Sequence, residues 1–112
     1  MLVDNNQIDA ETNLPVTEGV SDRAKWAAAF TDQPRFGIRQ GYKLLFDPVD
    51  DPRTCRDGRL YLFESATGSH FVGEFRHMTM GAYEAVGDNS APMDTIKHGI
   101  RVVAELVGIY MK

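Results

Sequence analysis

In the C-terminal two thirds of the chain, short apolar runs alternate with turn-forming residues, a pattern typical of β-strands joined by loops. "YKLLF" is followed by a loop rich in Pro, Asp and Gly that ends at Gly58. "RLYLFES" and "HFVGEFRHM" flank the turn "ATGS", so residues 60–78 are predicted to form a hairpin. "AYEAV", between Gly81 and Gly87, is predicted as the next strand. These runs predict a mainly β domain of about six short strands.

Two further segments allow more than one interpretation. "SDRAKWAAAF" either forms a short helix, capped by Ser21 or Asp22 and favoured by its alanines, or enters the domain as an extended segment. The closing run "IRVVAELVGIYMK" is apolar almost throughout and taken alone would suit a helix. Its β-branched residues and Gly108 favour a strand instead.

Residues 1–20 differ in composition from the rest of the chain. They contain acidic but no basic residues, and they carry the whole formal net charge of −4. With several Asn and Asp, they are predicted to form an acidic linker or tail, docked in part through Leu2, Ile8 and Leu14. The remaining residues balance acidic against basic charge, so neither part has the basic surface that nucleic-acid binding requires.

The length and residue usage indicate one ordinary globular domain. At 112 residues the chain can bury a core without disulfides or metals. No apolar run approaches the roughly 20 residues of a membrane-spanning helix, and the N-terminal segment lacks the features of a signal peptide. A single cysteine, Cys55, excludes an internal disulfide, which suits the reducing cytoplasm that we expect.

The histidines and acidic residues suggest no metal site. His70 and His77 are seven residues apart, which places them on opposite faces of one strand, and His98 is predicted as a turn residue. The carboxylates of the loop suit turn chemistry better than a bound cation. They are Asp47, Asp50 and Asp51. We therefore predict no metal and no cofactor.

Cys55 is the one candidate nucleophile outside these groups. Arg53 and Arg56 flank it in sequence, and their positive charge would lower the pKa of the thiol. No histidine is close to it in sequence, so we expect no catalytic role.

The order of the segments resembles the C-terminal domain shared by LexA, UmuD and the lambdoid phage repressors, a family of Ser/Lys self-cleaving peptidases. Gly41 with "LLFDP" resembles the first strand of that domain, and Asp57–Gly58 with "LYLF" resembles the second. "FVGEF" stands where the family has its "VKRL" strand, and "DNSAP" and "ELVGIY" resemble the last two segments. The resemblance covers residues 36–112. It implies a mainly β, LexA-like repressor C-terminal fold, with compact twisted β-sheets and at most one short helix.

The sequence departs from this family at both catalytic positions. The window that holds the nucleophilic serine in the family contains Thr31, Asp32, Gln33 and Pro34. Gly73 stands where the resemblance places the lysine that accepts the serine proton. A serine hydroxyl is a poor nucleophile without such a base, and Thr31 has no lysine to activate it. We therefore predict that the chain is not an enzyme.

The family also uses this domain to self-associate, which implies a function for the chain. We expect residues 21–112 to be a non-cleaving oligomerisation and regulatory domain of a phage-type or LexA-like repressor. Residues 1–20 would then link it to a helix-turn-helix domain absent from this chain, through which alone it would reach operator DNA. The expected partners are a second copy or a higher homo-oligomer and, for derepression, an antirepressor protein; no membrane is involved.

The closing strand is the predicted dimer interface, because a run that is apolar on both faces must be covered on both. In a regular strand the odd-numbered residues, such as Val103 and Val107, lie on one face, and the even-numbered residues, such as Leu106, lie on the other. The residues predicted to meet the partner are Val103, Leu106, Val107, Ile109, Tyr110 and Met111. An interior strand of a sandwich is the alternative.

Two other functions stay open at this point. A degenerate peptidase cleft would bind an antirepressor peptide or a small ligand, with Gly73 leaving space beside its strand. Its predicted lining residues are Gln33, Phe36, Val72, Gly73 and Glu74. An active self-cleaving peptidase that uses unrecognised residues is the second alternative.

Overall fold

A computed structural model of the chain describes residues 2–3, 21–78 and 81–111. Residues 4–20, which include Ile8 and Leu14 of the predicted linker, lie outside the described residues. The described residues form eight strands and one four-residue α-helix, so the prediction of a mainly β fold is confirmed. The strands are β1 (Leu2–Val3), β2 (Lys25–Ala28), β3 (Lys43–Pro48), β4 (Leu60–Glu64), β5 (His70–His77), β6 (Tyr83–Gly87), β7 (Met93–Asp94) and β8 (Arg101–Tyr110). The helix α1 spans Thr95–His98.

The chain divides into two compact units. The terminal unit consists of Met1–Asp47 and Leu106–Lys112, and the central unit is Pro48–Glu105. Hydrogen-bonded neighbours follow the order β1-β2-β3-β8 in the terminal unit and β8-β4-β5-β6-β7 in the central unit. β3 and β8 each contribute residues to both units.

The central unit is built on the predicted hairpin of β4 and β5. Ser65 and Ser69 close a three-residue loop in which Gly68 has a φ of +88°, a left-handed conformation that favours glycine. This loop sets the antiparallel register Phe63↔Phe71 and Tyr61↔Gly73. β6 extends the same ladder on the far side of β5, confirming the strand predicted for "AYEAV".

An aromatic cluster fills the core of the central unit. Phe63, Phe75 and Tyr61 are at most 2% exposed, and Phe63 stacks on Phe71 with ring centroids 5.5 Å apart. Phe75 stacks on Tyr83 at 4.8 Å. Smaller side chains complete the buried set, which we call the aromatic cluster. They are Cys55, Ala85, Ile100 and Val102.

In the terminal unit, the middle of the segment "SDRAKWAAAF" forms a strand and not a helix. Lys25–Ala28 form β2 and pair with β3 over four residues. Trp26, Ala24 and Leu45 form a buried group, the tryptophan cluster, against which Val107 and Tyr110 pack. An indole of this size is buried more completely between strands than on a short isolated helix, so packing overrides the helix propensity of the alanines.

The end of the central unit leads into β8 through α1. Asp94 caps this helix by accepting hydrogen bonds from the backbone N–H groups of Ile96 and Lys97. Gly99 ends it with a φ of +64°, so His98 lies at the helix end just before the last strand. β8 confirms the strand predicted for the closing run. Among the described residues, no helix is both long and apolar enough to cross a bilayer.

Candidate functional site

Gly73 lies at the centre of the central unit, between Tyr61 of β4 and Gly87 of β6. A Cβ atom at this position would meet the backbone carbonyl oxygen of Val86 at 3.1 Å. It would also meet the edge of the Phe63 ring at 3.2 Å and 3.3 Å. Phe63 is completely buried, so its ring has little room to retreat. The glycine therefore accommodates the ring of Phe63.

Gly73 leaves space beside its strand for a backbone to approach, as expected, and the chain itself takes up that space. In the direction that a side chain would take, the space is occupied by Phe63 and by the backbone of β6. A lysine here would require the Phe63 ring or the backbone of β6 to shift by a few tenths of an ångström to make room for its Cβ atom. The sequence did not decide this contact, because the loop consists of residues 66–68 and not of the four residues "ATGS", and a difference of one residue changes which residues of β4 face Gly73 and Phe71.

The nucleophile window lies in the terminal unit, in the loop between β2 and β3. Gln33 and Ile38 exchange two backbone hydrogen bonds of 2.7 Å and 3.1 Å, and the Asp32 carboxylate accepts one of 2.8 Å from the Gln40 N–H. Thr31 is exposed. Asp32 and Gln33 thus hold the loop in shape.

The residues predicted to line a cleft belong to two different units. Gln33 and Phe36 lie in the terminal unit, and the Arg35 guanidinium carbon is 5.9 Å from the centroid of the Phe36 ring. Val72 and Gly73 are buried in the central unit, where Glu74 accepts a 2.9 Å hydrogen bond from Arg76. The cleft stays a prediction.

Cys55 contradicts the prediction that its arginine neighbours lower the pKa of the thiol. The residue is only 4% exposed and belongs to the aromatic cluster. Burial raises the pKa of Cys55 to about 11, and a hydrogen bond with Tyr61 offsets only part of that rise. The Tyr61 hydroxyl is itself anchored, because its oxygen accepts a 2.9 Å hydrogen bond from the Arg56 N–H. Burial and the raised pKa of the thiol fit a packing role for Cys55.

His70 and His77 each contact a different carboxylate. His70 Nε2 is 3.2 Å from a Glu64 carboxylate oxygen. His77 Nδ1 is 2.6 Å from Asp57 Oδ1, which also accepts a 2.7 Å hydrogen bond from the His77 N–H. These contacts, led by the backbone N–H of His77, hold the pKa of Asp57 below its usual 3.8. In the part of the chain that the structure describes, no three His, Cys, Asp or Glu side chains group as a metal site.

Asp51 serves as the turn and capping group that turn chemistry predicts. It accepts a 2.9 Å hydrogen bond from the Arg53 N–H at the start of a 3₁₀ turn, and it pairs with the Arg53 side chain at 3.0 Å. Asp47 instead lies on β3 and accepts hydrogen bonds from the hydroxyl and the N–H of Ser21, which is distant in sequence. Turn chemistry is therefore right for Asp51 and wrong for Asp47.

β8 contains an irregularity that the alternating pattern did not predict. In the ladder with β4, Val102 pairs with Phe63 and Ala104 pairs with Leu62, so Val103 is the extra residue of a bulge. Its carbonyl oxygen accepts a 2.9 Å hydrogen bond from the Val49 N–H. Val103 cannot be assigned to a face by counting from Val107, so the strict alternation expected along β8 is wrong at this residue.

The C-terminal half of β8 shows which of its apolar residues are uncovered. Val107 and Tyr110 pack against the tryptophan cluster, and Leu106 is half-buried. Ile109 is 39% exposed and Met111 is 72% exposed. Phe30, which sequence reasoning did not single out, is 71% exposed in the same unit.

No protein-family model and no curated protein matches this sequence.

Proposed function

We propose that the chain is a non-cleaving oligomerisation and regulatory domain of a LexA-like or phage-type transcriptional repressor. It pairs subunits, so that helix-turn-helix domains outside this chain bind two operator half-sites together. Once one half-site is bound, the second binding event becomes intramolecular and gains a high effective concentration. Such a repressor acts in the cytoplasm, where the DNA lies.

The single observation that carries this proposal is the exposed apolar end of β8. Ile109 and Met111 remain uncovered by the terminal unit, although Val107 and Tyr110 beside them pack against its tryptophan cluster. Exposed apolar side chains in a group favour association, whereas single ones are common on any surface. A second copy, related by a two-fold axis, would cover the same residues on both chains.

The positions of the family-like segments support the repressor part of the proposal. "LLFDP" lies on β3, "LYLF" on β4, "DNSAP" between β6 and β7, and "ELVGIY" on β8. Each of these segments thus lies on a strand or a connection of a mainly β fold, which is the kind of fold that the resemblance implies.

The lack of cleavage rests on the two altered positions. The nucleophile window has no serine, and a lysine at Gly73 would collide with Phe63 and with the Val86 carbonyl. Without a base, no group activates a hydroxyl for acyl transfer. Derepression would then require an antirepressor protein that binds this domain.

Two measurements test the proposal. Sedimentation equilibrium of the chain should give the mass of a dimer or larger assembly, and a monomer at all concentrations would contradict oligomerisation. Incubation at alkaline pH, followed by mass spectrometry, should return the intact mass. A specific internal cut that is lost in Thr31→Ala would show a peptidase instead.

A further inference from the structure

The turn that leads into β4 contains an aspartate followed by a glycine. A 3.3 Å hydrogen bond from the Arg59 N–H to the Arg56 carbonyl oxygen closes this turn. Gly58 has a φ of +81° in it, a left-handed conformation that favours glycine. The turn therefore retains the dipeptide Asp57–Gly58, although a glycine after an aspartate favours a side reaction, because it places no side chain beside the reacting nitrogen.

This reaction joins the Asp57 side chain to the backbone of the next residue. The Gly58 nitrogen attacks the carboxyl carbon of Asp57, a nitrogen–carbon bond forms, and the hydroxyl of the carboxyl group leaves with the amide proton as water. Water then adds to either carbonyl carbon of the cyclic succinimide. Opening at one carbonyl restores aspartate, and opening at the other gives isoaspartate, whose main chain runs through the side-chain carbon atoms.

Contacts with β5 hold both reacting groups apart from each other. The Gly58 N–H donates a 2.9 Å hydrogen bond to the Phe75 carbonyl oxygen, so its proton is engaged by β5. Asp57 Oδ1 accepts a 2.7 Å hydrogen bond from the His77 N–H and lies 2.6 Å from His77 Nδ1. Ring closure requires the carboxyl group to turn toward the Gly58 nitrogen, so these bonds have to break first.

The charge of the carboxylate opposes the reaction as well. Attack on the protonated acid is easier, because the carbon of an ionised carboxylate is a poorer electrophile. The His77 contacts, led by its backbone N–H, hold the pKa of Asp57 below its usual 3.8. The protonated fraction is therefore smaller in the folded protein than in an unfolded chain. The Asp57 side chain is 63% exposed, so the water needed to open the ring can reach it.

The same turn determines how the chain enters the central unit. The Phe75 N–H donates a 3.0 Å hydrogen bond to the Arg59 carbonyl oxygen, so the pairing of β4 with β5 extends to the turn. Cys55, just before the turn, is packed in the aromatic cluster. Isoaspartate lengthens the main chain within the turn, so its hydrogen bonds to β5 cannot all be kept and Cys55 loses its fixed position.

We propose that Asp57–Gly58 is a site of isoaspartate formation and that His77 holds it unreactive in the folded protein. Release of the two His77 contacts frees the carboxyl group for ring closure, and the modification then detaches the turn from β5. The inference is independent of the proposed oligomerisation, since all of these residues lie in the central unit.

Ageing of the purified protein tests the role of His77. His77→Ala is compared with His70→Ala, because His70 lies on the same strand and is similarly exposed but contacts Glu64. Both variants are incubated at mildly acidic pH, below their unfolding temperatures, and isomeric peptides that contain residue 57 are separated and quantified. We expect at least about threefold more isoaspartate in His77→Ala, since loss of an exposed polar contact shifts a local equilibrium by such a factor. Equal amounts would overturn the role of His77.

A synthetic peptide of residues 54–61 gives the rate without protection by the fold. We expect isoaspartate to form at least about tenfold faster in this peptide than in the folded wild type, because local opening has to precede the reaction in the protein. Equal rates would contradict protection, and a peptide that forms no isoaspartate would remove the site.

A second variant, Asp57→Asn, leaves β5 unchanged and serves if His77→Ala does not fold. An asparagine before glycine forms the same succinimide with loss of ammonia, and its conversion to a carboxylate increases the mass of the protein. We expect slower conversion in the folded variant than in the matching peptide. Equal conversion would overturn the protection.

The reactivity of Cys55 reports the structural consequence. In wild-type protein aged until isoaspartate accumulates, the modified fraction should react with a colorimetric disulfide reagent faster than the unmodified fraction. Unchanged reactivity would contradict detachment of the turn.

Discussion

The aromatic cluster and the tryptophan cluster differ in how completely the chain covers them. In the central unit Phe63, Phe75 and Tyr61 are almost fully buried, and the ring of Phe63 lies close to the position that a Cβ atom of residue 73 would take. In the terminal unit Trp26 is buried as well, but β8, which packs against it, has Ile109 exposed, and Met111 just after the strand is also exposed. Both units also expose single large apolar side chains, Met78 and Ile96 in the central unit and Phe30 in the terminal unit, but Ile109 and Met111 lie beside Tyr110, which packs on the tryptophan cluster. Gly73 therefore has a packing role against Phe63, and under the proposed function Ile109 and Met111 are the residues that a partner would bury.

The largest expected effect comes from the centre of the aromatic cluster. Phe63→Ala removes a fully buried ring that stacks on Phe71 and covers Gly73, and it should lower the free energy of unfolding by about 3–5 kcal/mol. Chemical denaturation measures this value. Phe30→Ala is the matched control in the terminal unit, where the ring is 71% exposed, and it should change stability by at most about 0.5 kcal/mol. Similar losses in both variants would contradict the contrast between the units.

The second prediction concerns the low reactivity of the Cys55 thiol in the same cluster. With a pKa of about 11 in place of 9.0, the thiolate fraction at pH 8 falls roughly 100-fold, and burial slows the reaction further. Reaction of the native protein with a colorimetric disulfide reagent should therefore be at least about 100-fold slower than reaction of the unfolded chain. A rapid reaction of the folded protein would restore the hypothesis of an activated thiol.

Two glycines test the fit between Gly73 and Phe63. Gly73→Ala places a Cβ 3.1 Å from a backbone carbonyl and should cost about 1–3 kcal/mol of stability. Gly108→Ala in the terminal unit places its Cβ 3.4 Å from Leu45, an ordinary contact, and should be neutral or stabilise by up to about 1 kcal/mol. Thermal and denaturant unfolding measure both variants. A tolerated Gly73→Ala would show that the cluster can yield, and the space expected for a ligand would become plausible again.

The smallest expected effect on stability comes from Asp57, an exposed residue of the central unit. The folded-state pKa of Asp57 is lowered by the His77 contacts, so its ionised form stabilises the folded protein above pH 3.8. That contribution is lost as the pH falls through the lowered pKa. The free energy of unfolding of the wild type should therefore decrease on acidification below pH 3.8, and less steeply in Asp57→Asn. Denaturation curves across this range check the sign, and identical slopes would contradict it.

The strands were predictable because their signals are local. Period-two alternation, glycine turns and β-branched residues mark β4, β5, β6 and β8 directly in the sequence. The extended state of Lys25–Ala28 was not decided by the sequence, because alanine favours a helix while Trp26 gains more from packing on Leu45. The bulge at Val103 was missed since it depends on the pairing of two strands and not on the residues of one.

The candidate site was less predictable than the fold. The family resemblance placed Gly73 at the position of the catalytic lysine. The contacts of Gly73, however, depend on the register between β4 and β5, which pairs Phe63 with Phe71. Cys55 was misjudged because its sequence neighbours are arginines, while the pKa of its thiol is set by residues distant in sequence that bury it. His70 and His77 contact different carboxylates, which agrees with the opposite faces that their spacing predicts.

The most direct test of the central claim is the mass of the chain in solution, measured by sedimentation equilibrium for the wild type and for Ile109→Asp with Met111→Asp. The account predicts a dimer or larger assembly for the wild type and a monomer for the double variant, with unchanged circular dichroism. Ile96→Asp is the matched control, because Ile96 is 74% exposed in the central unit, and it should leave the assembly intact. A wild-type chain that stays monomeric at high concentration, or a double variant that assembles like the wild type, would contradict the account.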